Sequence, residues 1–114
     1  MIVSNVSRSV VLADDVEMAR SLWARARGLL GHAPLRRGQG MLITPCHSIH
    51  TFFMAFPIDA AFLDGQGCVV HVMHSMPPWR VSPHLFRAHS VLELPAGRLA
   101  ETGTTVGDRL ALQA

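Results

Sequence analysis

The chain has no lysine: all ten of its basic residues are arginine, so its formal charge of +2 rests on groups that stay protonated under ordinary conditions. Charged residues of both signs make up only 16% against 49% apolar, which excludes disorder by composition and requires a buried core. Cysteine is scarce. Cys46 and Cys68 are the only two, and in a reducing compartment they read as thiols rather than as a structural bridge. The opening MIVSNVSRSVVLADD lacks the basic start, continuous apolar stretch and small-residue cleavage site of an export signal. No run approaches the ~18 apolar residues of a membrane span, so a cytoplasmic location is the expectation. At 114 residues, one folding unit over 1–114 is expected.

The charges that are present are unevenly placed. Between Met18 and Pro57 stand Arg20, Arg25, Arg27, Arg36 and Arg37 with no acid, while Asp59, Asp64, Glu93, Glu101 and Asp108 follow later. This excess is read as a solvated helix face and loop rather than as a nucleic-acid footprint.

Asp14 and Asp15 precede Val16, Ala19, Trp23, Ala26 and Leu30, a three-and-four spacing that predicts one amphipathic N-terminal helix ending at Gly28 or Gly31. His32 to Gly40 reads as a loop. Beyond it, the segments Met41 to Thr44, His47 to Phe56, Ile58 to Asp64, Cys68 to Met76, Ser90 to Leu94 and Arg109 to Leu112 are short, apolar and bounded by turn residues, which predicts antiparallel strands. Val10 to Leu12 is a further candidate. Asp64-Gly65-Gln66-Gly67 reads as a hairpin turn, and Pro77 to Pro83 as an extended loop, because each proline removes a ladder donor. The expected fold class is mainly β (α+β): an antiparallel β-sandwich or partly closed barrel, with the helix covering an opening or edge.

Chemistry-bearing residues concentrate in Cys46-His47-Ser48-Ile49-His50-Thr51. On a regular strand, Cys46 and His50 share a face about 13 Å apart, too far for one metal ion without a bend, and His47 faces away from the Cys46 sulfur. His47 and His50, like His71 and His74, are three apart, which on a strand means opposite faces. No metal site is assigned on this pattern, and no cofactor is indicated. Asp59 and Glu93 stand inside apolar segments, so each requires a partner such as Arg27, Arg98, a histidine or loop amides. Asp59 could anchor a turn and Glu93 a structural ion pair, or both could line a pocket near His50.

Five blocks carry a resemblance: Arg25-Ala26-Arg27-Gly28-Leu29-Leu30-Gly31, Gly40-Met41-Leu42-Ile43, His50 through Asp59, Val91 through Gly97, and Gly107-Asp108. In order and spacing they resemble domain-of-unknown-function family 192 over nearly the whole chain. The resemblance implies a compact β-rich fold and a bacterial or archaeal setting, and it brings no reaction, cofactor or partner. Its recurring positions fall on Arg27, Gly28, Leu29, Gly40, Met41, Met54, Pro57, Asp59, Glu93, Gly97, Gly107 and Asp108. The family pattern often has Trp-Met where this chain has Phe53-Met54, and Cys46 is not a general feature of it.

With no complete nucleophile constellation and no phosphate loop, the leading expectation is a module that binds a small molecule or a protein. Its pocket would be bordered by Arg27, His50, Met54, Asp59 and Glu93. The alternative is a small hydrolase or metal-dependent enzyme using His50, Asp59 and Glu93, with Cys46 as ligand or nucleophile. Partner identity and oligomeric state have no sequence signal.

Overall fold

The computed structural model describes residues 1–21, 24–25, 28–29 and 31–114. Among the described residues eight strands and one short helix are delimited, in order: β1 (Ile2–Asn5), β2 (Val10–Ala13), β3 (Asp15–Ala19), β4 (Gln39–Ile43), β5 (Ile58–Leu63), β6 (Val69–Met76), β7 (Ser90–Pro95), α1 (Arg98–Thr102) and β8 (Leu110–Gln113). They form a three-stranded sheet, β2-β1-β8, and a five-stranded sheet, β3-β4-β7-β5-β6. Two sheets packed in this way give a sandwich-like, mainly β fold with no closed barrel.

β5 lies between β6 and β7, and all six of its residues are buried, so both faces of the larger sheet are covered. Its inner face meets the smaller sheet. Val3, Leu12, Leu42, Ala61, Leu63, Leu92, Leu94, Leu99 and Leu110 form that inter-sheet core. The outer face carries Met41, Ile43, Ala60, Phe62 and Val91, and is covered by Leu29, Ile49, Met54, Phe56 and Ala88 from connecting segments rather than from a third sheet.

The expected N-terminal helix is corrected. Asp15–Ala19 is a strand, paired in parallel with β4 from Asp15 opposite Gln39 to Ala19 opposite Ile43, and it departs from the expected all-antiparallel pairing. Val16 enters the inner core and Ala19 the outer one. Three-residue apolar spacing suits a helix face, but it also suits a strand whose two faces are both buried, and pairing with β4 decides between them. The amides of Asp14 and Asp15 bond to the Gly38 carbonyl instead of opening a helix. Helical hydrogen bonds do occur later, from the Arg25 amide to the Ser21 carbonyl and from the Gly28 amide to the Ala24 carbonyl. Trp23, Ala26 and Leu30, on the expected apolar face, lie outside the described residues.

His47 to Phe56 is likewise not a continuous strand. It is joined to the 77–89 segment by the isolated His50–Val81 bridge and by amide bonds from Leu85 to the His47 carbonyl, Ser82 to the Ile49 carbonyl and Thr51 to the Arg80 carbonyl, and then turns, with the Met54 amide bonding to the Thr51 carbonyl and Phe53 at φ 64°. The expected hairpin between β5 and β6 is present. The Asp64 carboxylate accepts from the amides of Gln66 and Cys68, and Gly67 takes φ 83° where a Cβ would come within 2.6 Å of the Leu110 carbonyl oxygen.

Asp108 closes the smaller sheet. Its carboxylate accepts from Asn5 Nδ2 (2.9 Å) and Arg8 Nε (2.6 Å), and the Arg8 bond is the main reason the carboxyl is held below its ordinary range. Asn5 Nδ2 also bonds Thr104 Oγ1, so the loop before β8 is tied to β1.

Candidate functional site

Asp59 and Glu93 are separated by the sheet itself. In the β5–β7 pair, Asp59 lies opposite Leu94 and Ala60 opposite Glu93, so Asp59 faces inward with Leu94 and Glu93 faces outward with Ala60. Asp59 is fully buried and takes two amides, Ser75 (2.7 Å) and Leu99 (2.8 Å), the second in the first turn of α1. It is a structural pin joining β5, β6 and α1, and it does not share a cavity with Glu93. Arg98 is occupied elsewhere, donating to the carbonyls of Leu12 (2.9 Å) and Val11 (2.8 Å).

Glu93 is 3% exposed, with Met41 and Ala60 beside it on the neighbouring strands. Among the described residues no side chain or amide hydrogen-bonds its carboxyl, and burial pushes that carboxyl up to about 8. Gly28 packs against it: a Cβ there would lie 3.9 Å from Oε1. The arginine-glycine block thus comes to Glu93, while Arg27 itself lies outside the described residues.

Next to Glu93 on the outer face is a cavity of about 380 Å³ lined by Arg25, Ile43, Pro45, Cys46, His47, Ser48 and His84. Arg25 reaches across from its helical turn and donates from Nη1 to the Pro45 carbonyl (2.9 Å), and among the described residues its buried Nε has no acceptor. Cys46 donates its thiol proton to the Ser48 carbonyl (3.0 Å), and burial raises its pKa, so the sulfur is held as a thiol. His47 lines the same cavity and packs on His84, ring centroids 5.3 Å apart. Among the described residues no three His, Cys, Asp or Glu side chains are grouped as metal ligands would be.

A second feature of this face is an exposed cluster of rings. His50 stacks on Phe52 (5.2 Å between centroids), Phe52 adjoins Trp79 (6.1 Å), and Trp79 packs on Phe53 (4.7 Å). Phe53 is 75% exposed and Trp79 55%, and both hold positive φ, 64° and 65°. Buried Thr51 holds the two loops together. Its hydroxyl donates to the Pro77 carbonyl (2.6 Å) and accepts from the Arg80 amide (2.9 Å), and its own amide bonds the Arg80 carbonyl. Met54, next in the chain to Phe53, is buried in the outer core, and the Phe52 amide donates to Nδ1 of His50.

Of the five residues expected to border one pocket, then, His50 belongs to the ring cluster, Met54 to the outer core, Glu93 to the sheet floor and Asp59 to the opposite face, while Arg27 lies outside the described residues. Sequence reasoning passed over Arg25, Thr51 and His84. Arg25 stands in the same block as Arg27 and carried the same signal, whereas Thr51 binds Pro77 and Arg80 and His84 meets His47 from a distant part of the chain, about which the chain order is silent.

The fold and this outer face define a small β-sandwich-like protein with a loop-built, ring-bearing surface. The chain belongs to DUF192, described as Uncharacterized ACR, COG1430, whose family model matches residues 3–112. UPF0127 proteins of Pyrococcus horikoshii and Pyrococcus abyssi are each 33% identical to it, over 93% and 96% of this chain and 94% and 95% of theirs. Two crystal structures share the fold. One is a protein of unknown function from Novosphingobium aromaticivorans, with TM-score 0.84 and 23% identity over 97% of this chain and 82% of that one. The other is a putative transcription regulator from Sinorhizobium meliloti, with TM-score 0.79 and 24% identity over 96% and 89%. Among the described residues no helix is long and apolar enough to cross a membrane.

Proposed function

We propose that this chain is a protein-binding β module whose docking face is the ring cluster of His50, Phe52, Phe53 and Trp79. The observation that carries the reading is that Phe53 and Trp79 are exposed at positive φ. Such a backbone costs a non-glycine residue about 1–2 kcal/mol, and it persists only where the surroundings enforce it. Here the buried Thr51 hydroxyl does so, presenting two large rings to solvent in fixed positions. Aromatic side chains held in advance of binding are the usual anchors of protein interfaces, because little side-chain freedom is lost on docking.

The flanks indicate the partner's chemistry. No acid occurs in residues 44–57 or 65–92, whereas Arg80 and Arg87 stand there, so the partner surface is apolar with an acidic rim. The hydrolase alternative needed His50, Asp59 and Glu93 together, and the sheet lies between the two carboxyls.

Affinity capture from the source cell, comparing the wild-type chain with F53G and W79A, tests the proposal. A partner retained by wild type and lost by both variants supports it. Equal capture by all three, or retention only of the chain itself, overturns it.

A further inference from the structure

We propose that the Arg25 cavity is a second binding site, for the carboxylate of a small apolar-tailed acid, with the tail lying along His84 and Phe86. The site does not use the ring cluster described above.

The head-group end is built around an arginine. Arg25 lines the cavity with its Nη1 committed to the Pro45 carbonyl, and among the described residues no acid pairs with its guanidinium. A guanidinium that lines a cavity without a counter-charge favours an anion there, and its planar geometry suits a carboxylate. The Ser48 hydroxyl and the imidazoles of His47 and His84 line the same cavity. No described carboxyl lines it. Glu93, near enough to act on Cys46, is raised to about 8 by burial and is mostly uncharged at neutral pH, so it does not oppose an anion.

The tail end follows from the rings. His47, His84 and Phe86 form a row with centroid spacings of 5.3 and 4.5 Å. His84 lines both the Arg25 cavity and a neighbouring cavity of about 330 Å³, whose other lining residues are Val70, Leu85, Phe86 and Arg87. Phe86 is 86% exposed, the most exposed of the large apolar residues among those described, and a tail laid on it would remove that surface from water. A polar oxyanion alone would use the first cavity and leave the second untouched. Both volumes fall in the range of small-molecule sites.

The test uses octanoate, octanol, acetate and inorganic phosphate as probes, read by amide chemical-shift titration of the full chain. The expected result is saturable octanoate binding, with shifts at Arg25, Cys46 to Ser48 and His84 to Arg87, and octanol about tenfold weaker or worse. R25Q should lose at least about tenfold in octanoate affinity. F86A, at a side chain exposed enough to spare the fold, should weaken octanoate several-fold and leave acetate unchanged. F53G should leave octanoate binding intact. Octanol binding as tightly as octanoate overturns the carboxylate assignment. Phosphate binding as tightly as octanoate, with no effect of F86A, overturns the tail assignment. No saturable shift with millimolar octanoate overturns the site.

Discussion

The two faces of the five-stranded sheet differ in how their polar groups are settled. On the inner face Asp59 accepts two amides, and where the smaller sheet closes, Asn5 and Asp108 are bonded to each other and to Thr104 and Arg8. On the outer face Glu93 is held against its ordinary ionisation, Arg25 Nε has no acceptor among the described residues, and Phe53 and Trp79 keep strained backbones in solvent. One face is closed by strands that satisfy one another, the other by loops that leave costs outstanding. Costs retained beside cavities and exposed rings are where a ligand or partner has something to supply.

The contrast is most directly broken at Asp59. Asp59→Ala should lower unfolding free energy by about 4 kcal/mol, since two buried amides lose their acceptor and a void remains. A urea-melt difference below about 1 kcal/mol would mean that the inner face is not pinned there.

Glu93 should report the opposite condition through pH. Its folded-state value, about 8, exceeds its ordinary 4.5, so the folded chain holds more protons between these limits. Its contribution is therefore complete below about 4.5 and is lost as pH rises toward about 8, at no more than about 1.4 kcal/mol per pH unit. Denaturant melts across that window should show the slope in wild type and its absence in Glu93→Gln. An unchanged slope in the variant would assign the pH dependence to another group.

At the loops, Thr51→Val keeps the shape and deletes the hydroxyl that binds Pro77 and Arg80. It should cost about 1–2 kcal/mol and raise the mobility of Trp79, visible as a faster decay of fluorescence anisotropy. The smallest stability change belongs to Phe53→Gly, which relieves the positive φ while removing the contact with Trp79, and should stay within about 1 kcal/mol of wild type. Partner capture should nonetheless fall, because the residue is kept for what it presents. A large loss of stability would show that Phe53 serves the fold instead.

Much of the larger sheet was legible along the chain. β4, β5, β6 and β7 were predicted to within a residue or two, because turn residues bound each of them, and the Asp64 to Gly67 turn followed from glycine and aspartate chemistry. β1 went unnoticed, and β3 was read as part of a helix, since Val16 and Ala19 bury on opposite faces with a spacing that also fits one helical turn. Of the candidate site, the polar residues were visible but not their grouping. A carboxylate in an apolar strand announces that it needs a partner, not from which side of the sheet the partner will come.

By itself, then, the sequence determined that short apolar segments would pair into a mainly β core, because burial demand and turn chemistry are local. Only the tertiary structure decided that Asp59 and Glu93 face apart, that Arg25 reaches Pro45, and that Thr51 holds Phe53 and Trp79 in solvent. Each of these depends on register between segments distant in the chain, where a shift of one residue would exchange the two faces.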